Sequence, residues 1–189
     1  KRNVFSDNQV NEIISRITGT ADLTDLKQCD LVVEAIFEDF RAKEELFSAL
    51  SAILPNDCIV ATNTSSFSVT ELSKSISHSG RFVGLHFFYH AAKNRLVEVI
   101  PGESTAPDAL EAVWRFSSLV GKDPIICKDV YGFAVNRFFV PWLNEAVRLL
   151  QEEVGTIDEI DTACNELFGI GMGPFALMNA TGTQAAFHS

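Results

Sequence analysis

The sequence has few cysteines and no closely spaced cysteine pair. Its four cysteines are scattered along 189 residues, at Cys29, Cys58, Cys127 and Cys164. This spacing argues against a CxxC-type zinc site and against a set of disulfide staples, so no metal site is predicted. Scattered thiols are typical of proteins in a reducing compartment, and we expect a cytoplasmic protein.

Positive charge is also scarce. Fifteen Lys and Arg residues stand against 25 Asp and Glu residues, which gives a formal net charge of −10. Binding to a nucleic-acid backbone needs an excess of basic residues, so nucleic acid is not a predicted partner. No apolar run reaches the length of a membrane span, and residues 1–10 lack the apolar core of a signal peptide. We therefore predict no membrane partner.

Strand and helix patterns alternate over the first two thirds of the chain. Helical spacing is found at residues 7–17, 40–54, 68–76 and 105–121, and strand patterns at 17–23, 30–36, 58–64, 81–88, 95–102 and 123–129. The runs at 30–36 and 58–64 are continuously apolar, as in strands that are buried on both faces. This alternation predicts an α/β fold with a doubly wound, mostly parallel sheet and helices on both faces.

After Asp129 the pattern becomes entirely helical. A long helix is predicted from Phe133 to Val154, with Pro141 as a kink, and Thr156 is predicted to cap the next helix. We therefore predict a sheet domain over residues 1–129 and an all-helical domain over residues 130–189.

Polar residues collect at the ends of the predicted strands. They are Glu38 and Lys43 after the run at 30–36, Asn63, Thr64, Ser65 and Ser66 after the run at 58–64, and Asn136 at the start of the long helix. Ligands of α/β sheets gather at the carboxyl ends of strands. These side chains can therefore serve a site that needs hydrogen bonding and proton transfer.

Two further polar residues lie inside apolar strand patterns. His86 lies in GLHFF and Glu98 lies in LVEVI. An unpaired buried carboxylate is costly, and a facing histidine would offset that cost while the carboxylate fixes the imidazole tautomer and raises its basicity. From spacing alone two interpretations stay open: a proton-transfer pair, or a buried pair that only ties two strands together.

From Asp30 onward the chain resembles the 3-hydroxyacyl-CoA dehydrogenases. The matching segments are LVVEAIFEDFRAKEELF, ATNTSSFSV, RFVGLHFF, LVEVIPG, KDVYGFAVNRFFVPWLNEAVRLL, IDEIDTA and GMGPFAL. Each is weak alone, but their order and spacing are specific. The resemblance implies NAD-dependent oxidation of a 3-hydroxyacyl-CoA substrate to 3-oxoacyl-CoA. It also implies an incomplete Rossmann-type NAD-binding domain over 1–129 and a helical substrate and dimerisation domain over 130–189.

The resemblance implies a role for four residues in catalysis. His86 matches the base that takes the proton of the 3-hydroxyl group, and Glu98 matches the carboxylate that orients this base. Ser65 matches the serine that hydrogen-bonds the reacting oxygen. Asn136 matches the asparagine that helps to hold the thioester end of the substrate.

On the cofactor side, the resemblance implies that Glu38 and Lys43 lie near the ribose and nicotinamide of NAD. The further implied neighbours of the cofactor are Ala35, Asn63, Thr64, Ser65 and Tyr89. From the residues alone, Lys43 can also be a solvated helix residue, and Asn63 can simply end a strand in a turn.

The chain departs from the family pattern in two ways. The family opens with a strand, a GxGxxG loop and a helix, which are not found here, so we expect a fragment that lacks this unit and the C-terminal end and that binds NAD poorly. The family has Asn-Pro after HFF, whereas this chain has Tyr89 and His90, which puts one nicotinamide-side contact in doubt.

Two other hypotheses remain beside the leading one. The chain can be an inactive or structural fragment of such a dehydrogenase, or a relative that acts on another β-hydroxy acid. The helical domain is expected to form a homodimer, as the resemblance implies. The long helix predicted there carries more apolar surface than it needs if it only covers part of a domain. The apolar residues are Phe138, Phe139, Trp142, Leu143, Val147, Leu149 and Leu150.

Overall fold

The computed structural model describes residues 5–182. It contains a sheet of five strands in chain order, β1 (Leu31–Glu34), β2 (Ile59–Thr62), β3 (Phe82–Phe87), β4 (Leu96–Pro101) and β5 (Asp123–Ile126). Neighbouring strands are parallel except β3 and β4, which are antiparallel. The predicted α/β class with a mostly parallel sheet is confirmed. Residues 1–4 and 183–189 of the two predicted domains lie outside the described residues.

Seven α-helices accompany the sheet in the described part of the chain. They are α1 (Asp7–Ile14), α2 (Phe40–Ser51), α3 (Val69–Leu72), α4 (Pro107–Leu119), α5 (Asn136–Gln151), α6 (Ile157–Phe168) and α7 (Pro174–Thr181). Capping boxes at Ser6 and Thr156 start α1 and α6, as their sequences predict. None of these helices combines the length and the apolar character that crossing a bilayer requires.

The sheet is covered by helices on both faces, as predicted. Successive strand residues point to opposite faces, so Phe82 joins one core cluster and Val83 the other. The first cluster contains Phe47 and Leu50 of α2 with Val69 and Leu72 of α3. The second contains Ala109 and Val113 of α4. In the helical segment after β5, α5, α6 and α7 contact one another.

Two strand predictions are corrected by the structure. The stretch at 17–23 forms no strand; Ile17 is 71% exposed, and Asp22 caps a 3₁₀ turn at Leu23–Gln28 by accepting from the Thr24 N–H. The short-range capping bond outweighs the weak apolar alternation. β1 is also not buried on both faces, because it forms the edge of the described sheet and Val33 is 39% exposed. β2, by contrast, is buried throughout.

The long helix begins three residues later than predicted, at Asn136 rather than at Phe133. Gly132 and Phe133 have positive φ angles of 73° and 45°, which a right-handed helix does not allow. The chain therefore makes a tight turn between β5 and α5. Pro141 is accommodated inside α5.

Candidate active site

His86 and Glu98 lie directly opposite each other on the antiparallel strands β3 and β4. Nδ1 of His86 is 2.7 Å from Oε2 of Glu98. Both side chains are buried, with exposed fractions of 4% and 0%. The two residues share the sheet face of Phe82 and Ile100, because alternate strand residues point to the same side. The expected pairing is therefore present in the structure.

Ser65 extends this pair into a chain of three polar side chains. Its Oγ is 3.0 Å from Nε2 of His86. The Glu98 carboxylate can only accept, so it selects the imidazole tautomer that carries its proton on Nδ1. Nε2 is then left as an acceptor for a hydroxyl group, either that of Ser65 or that of a bound alcohol.

The second carboxylate oxygen of Glu98 also accepts hydrogen bonds. Oε1 accepts the backbone N–H groups of Ala134 and Val135, each at 2.9 Å, and lies 3.7 Å from the Cys127 thiol. Burial alone would raise the pKa of Glu98, but the bonds from His86, Val135 and Ala134 outweigh it and lower the pKa. Glu98 is thus held as a carboxylate beside His86.

The turn between β5 and α5 supplies these N–H donors. The positive φ angles of Gly132 and Phe133 turn the chain so that both following N–H groups reach one oxygen. The Phe133 ring also packs near the His86 imidazole, at 5.9 Å between ring centroids. Glu98 therefore fastens the start of the helical segment to the sheet.

Cys127 stays a thiol in this environment. Burial and the neighbouring Glu98 carboxylate raise its pKa to about 11. At neutral pH the S–H group is therefore protonated and can act as a weak donor to Glu98.

Glu38 organises the loop that carries Ser65. Its Oε1 accepts from the Thr64 hydroxyl at 2.5 Å, from the Ser65 N–H at 2.9 Å and from the Ser66 N–H at 3.2 Å. Burial alone would raise the pKa of Glu38, but these bonds and the Lys43 charge lower it. The loops after β1 and β2 are joined through this carboxylate.

Lys43 lies beneath Glu38 and is almost fully buried, with 1% of its surface exposed. Its ammonium is 2.6 Å from Glu34 Oε1 and 3.2 Å from Glu38 Oε2. Glu34 also accepts from the Thr62 hydroxyl at 2.6 Å. The interpretation of Lys43 as a solvated helix residue is therefore wrong. Its contact with a cofactor stays a prediction.

Two asparagines make hydrogen bonds between the segments that meet at this edge of the sheet. Asn63 Oδ1 accepts the Phe87 N–H at 2.8 Å, which ties the end of β2 to the end of β3, so Asn63 does more than end a turn. Asn136 Nδ2 lies 3.3 Å from the carbonyl oxygen of Ser65. The first residue of α5 is thereby placed beside the Ser65–His86 pair.

A cavity of about 450 Å³ opens beside this group. Its described lining consists of Ser65, His86, Phe87, Phe88, Tyr89, Asn94, Leu96, Val135, Asn136, Phe139, Val140, Leu143, Leu177 and Thr181. Tyr89 lies at its rim and is 66% exposed. All four residues predicted to act in catalysis are thus brought together, three of them on the cavity wall and Glu98 behind His86.

Two family models match the chain and together cover nearly all of it. Residues 1–130 match the 3-hydroxyacyl-CoA dehydrogenase NAD binding domain, and residues 132–189 match the 3-hydroxyacyl-CoA dehydrogenase C-terminal domain. The chain belongs to the 3-hydroxyacyl-CoA dehydrogenase family. The resemblance inferred from the sequence motifs is therefore confirmed.

Relatives within this family are similar over most of the chain. A mitochondrial hydroxyacyl-coenzyme A dehydrogenase of Sus scrofa is 41% identical over 93% of this chain. A 3-hydroxybutyryl-CoA dehydrogenase of Clostridioides difficile is 37% identical over 90% of it. The chain spans 56% and 61% of the lengths of these two proteins. The crystal structure of (S)-3-hydroxybutyryl-CoA dehydrogenase from Ralstonia eutropha superposes with a TM-score of 0.91 at 34% identity, covering 97% of this chain and 65% of that one.

Several of the residues that the resemblance places near NAD lie at the carboxyl ends of β1 and β2. Ala35 and Glu38 lie on an exposed stretch at the carboxyl end of β1. The Glu38 side chain is 29% exposed at this edge, and its contact with the ribose stays a prediction. Asn63, Thr64 and Ser65 lie at the carboxyl end of the adjacent strand, as a ligand at this edge requires.

Several site residues were missed by sequence reasoning. The first is Glu34, a polar residue inside the apolar run DLVVEAI, which the criterion applied to His86 and Glu98 also singles out. Asp129 is another: its carboxylate accepts from Ser68, Val69 and Thr70 at the start of α3. The backbone donors of Ala134 and Val135 leave no signal in residue types, since every residue except proline carries a backbone N–H group.

Proposed function

We propose that the protein containing this chain oxidises a 3-hydroxyacyl-CoA to the 3-oxoacyl-CoA with NAD. The observation that carries the proposal is the chain of contacts from Ser65 through His86 to Glu98 at the wall of a cavity. Oxidation of an alcohol needs a base for the hydroxyl proton, and a neutral imidazole whose Nε2 carries no proton is suited to this task.

The proposed roles follow from the geometry of the chain's own residues. His86 takes the substrate's hydroxyl proton on Nε2 and becomes an imidazolium. Glu98 stabilises this cation through Nδ1, and the donors on its other oxygen keep it ionised. Ser65 hydrogen-bonds the reacting oxygen, and Asn136 lies beside it to orient the thioester end. Bound NAD would supply the acceptor for the hydride that leaves the same carbon.

A buried pair that only ties two strands together is the weaker interpretation. Such a pair needs no access to a cavity and no third polar partner. Here His86 Nε2 faces Ser65, and both residues line the cavity. This arrangement favours proton transfer over a purely structural role.

The activity is tested on the full-length protein with acetoacetyl-CoA and NADH. We expect the NADH absorbance to fall as acetoacetyl-CoA is reduced, since the reaction is reversible. NADPH in place of NADH tests the cofactor assignment. A lack of turnover with either cofactor in a folded, full-length sample would contradict the proposed function.

We also propose that the full-length protein is a homodimer through its helical segment. Apolar side chains of α5 and α6 are exposed in the described chain, with Phe138 at 81%, Leu167 at 76% and Phe168 at 59%. Leu167 and Phe168 line a groove with Trp142 between α5 and α6, and exposed apolar surface of this kind supports an interface here. Sedimentation at micromolar concentration should give the mass of a dimer, and a monomer alone would contradict this. The cytoplasmic location stays a prediction.

A further inference from the structure

Glu34, the last residue of β1, carries a carboxylate that is closed off from solvent. Its side chain is 0% exposed, and among the described residues it does not line the cavity beside His86. A buried carboxylate is costly unless several donors compensate it. The position of Glu34 is therefore set by the donors around it, and the carboxylate in turn fixes the position of those donors.

One carboxylate oxygen of Glu34 leads to Glu38. Oε1 accepts from the Lys43 ammonium at 2.6 Å and from the Ile36 N–H at 2.7 Å. The same ammonium lies 3.2 Å from Glu38 Oε2. A shared buried cation holds the two carboxylates near each other, whereas without the cation their charges would repel. Glu34 thus fixes Lys43, and Lys43 fixes Glu38.

The other carboxylate oxygen of Glu34 reaches the segment after β2 by a second route. Oε2 accepts from the Thr62 hydroxyl at 2.6 Å, and the oxygen of this hydroxyl accepts from the Thr64 N–H at 3.4 Å. The Thr64 hydroxyl donates to Glu38 Oε1, which also accepts from the Ser65 N–H. Both routes from Glu34 therefore meet at Thr64 and Ser65.

We propose that Glu34 is a positioning residue of the reaction: it fixes the backbone at residues 64–66, so that the Ser65 hydroxyl is presented to His86 and to the reacting oxygen of the substrate. The inference rests on the proposed function, in which Ser65 hydrogen-bonds that oxygen. Rates depend steeply on such geometry, since a misplacement of about 1 Å can lower them roughly 100-fold. Glu34 reaches the reacting atoms only through other side chains.

Hydrogen exchange in the full-length protein, measured by mass spectrometry, tests the link between Glu34 and this segment. Glu34→Gln keeps the shape of the side chain but removes its charge, so Lys43 loses its nearer anionic partner. We expect amide exchange at residues 64–66 to become about 10-fold faster, because opening of the segment costs less. Unchanged exchange at residues 64–66 would overturn the inference, whatever happens at residues 31–36.

A double-mutant cycle tests the link between Glu34 and catalysis. At saturating NADH, Glu34→Gln should lower kcat for acetoacetyl-CoA about 10- to 100-fold. In a protein that already carries Ser65→Ala, the same substitution should lower kcat less than about threefold, because the hydroxyl that Glu34 positions is gone. An equal loss in both backgrounds would give Glu34 a general structural role and overturn the inference.

Thr62→Val provides an independent variant if Glu34→Gln does not fold. It removes the hydroxyl of the second route and keeps the shape of the side chain. It should lower kcat roughly 3- to 10-fold, the usual effect of one lost hydrogen bond. This loss should also disappear in the Ser65→Ala background, and a loss that persists there would contradict the inference.

Glu45→Gln is the matched control. It removes the same charge from an exposed position on α2. Exchange at residues 64–66 should stay unchanged, and kcat should stay within a factor of about two. A wild-type protein without turnover of any 3-oxoacyl-CoA would overturn the proposed function, whereas the exchange experiment tests the Glu34 link without any turnover.

Discussion

Replacing His86 with Gln in the full-length protein should lower kcat for 3-hydroxyacyl-CoA oxidation by roughly 10²–10⁴-fold, the usual cost of losing a general base. KM should change far less, because the imidazole acts on the proton in the transition state and is only one of many groups on the cavity wall. Gln retains a polar side chain of similar length but has no basic nitrogen.

His78→Gln is the matched control for this experiment. His78 is a half-buried histidine in the turn before β3, away from the cavity lining. Its replacement should leave kcat within a factor of about two, as expected for a substitution away from the site. If His86→Gln retained most of the wild-type kcat while remaining folded, His86 would have no part in the proton transfer.

The pairing of His86 with Glu98 could be predicted because a polar residue in a buried strand needs a partner. The same criterion points to Glu34, whose partners Lys43 and Thr62 are equally buried. A polar or charged residue inside an apolar strand pattern thus indicates a buried polar pair. The strand register that places His86 opposite Glu98 could not be read from the spacing; it depends on the antiparallel turn between β3 and β4.

Backbone contributions to the site could not be predicted from the sequence. Two N–H donors reach Glu98 because Gly132 and Phe133 adopt positive φ angles, and Phe133 is an unusual residue for that conformation. Because the apolar periodicity continues through this turn, the sequence predicts a helix that begins at Phe133, whereas α5 begins at Asn136. Periodicity reports which face of a segment is buried and does not report where a tertiary hydrogen bond interrupts the helix.

Replacing Glu98 with Ala should lower the free energy of unfolding by roughly 3–5 kcal/mol, the usual cost of removing one partner of a buried charged pair. The loss has two parts. The N–H groups of His86, Ala134 and Val135 lose their acceptor in a buried place, and the start of α5 loses its attachment to the sheet. Denaturant unfolding of the two proteins at neutral pH measures the difference.

Arg148→Ala is a suitable control for the stability experiment. Arg148 lies on α5 and pairs with Glu145 at 3.5 Å, but both side chains are more than half exposed. An exposed pair of this kind contributes little, so the free energy of unfolding should fall by less than about 1 kcal/mol. Similar losses for Glu98→Ala and Arg148→Ala would show that Glu98 does not anchor the helical segment.

The charge of Glu98 also makes a pH-dependent contribution to stability. Burial alone would raise its pKa, but the hydrogen bonds from His86, Val135 and Ala134 lower it below the ordinary value of 4.5. A carboxyl with a lowered folded-state pKa stabilises the fold above its unfolded-state pKa, and this stabilisation is lost as pH falls through the folded-state pKa. Glu98→Gln should therefore be less stable than wild type at neutral pH, and the difference should shrink on strong acidification.

Glu98→Gln should also change the pH dependence of catalysis. In this variant the imidazolium form of His86 lacks the negative charge that stabilises it through Nδ1. The acidic limb of the kcat/KM profile for alcohol oxidation should move to lower pH, and the maximum rate should fall because the developing imidazolium is less stable in the transition state. If the variant is less stable but its acidic limb does not move, Glu98 only anchors the helical segment. A shift of the acidic limb shows that the Glu98 charge acts on His86 during proton transfer.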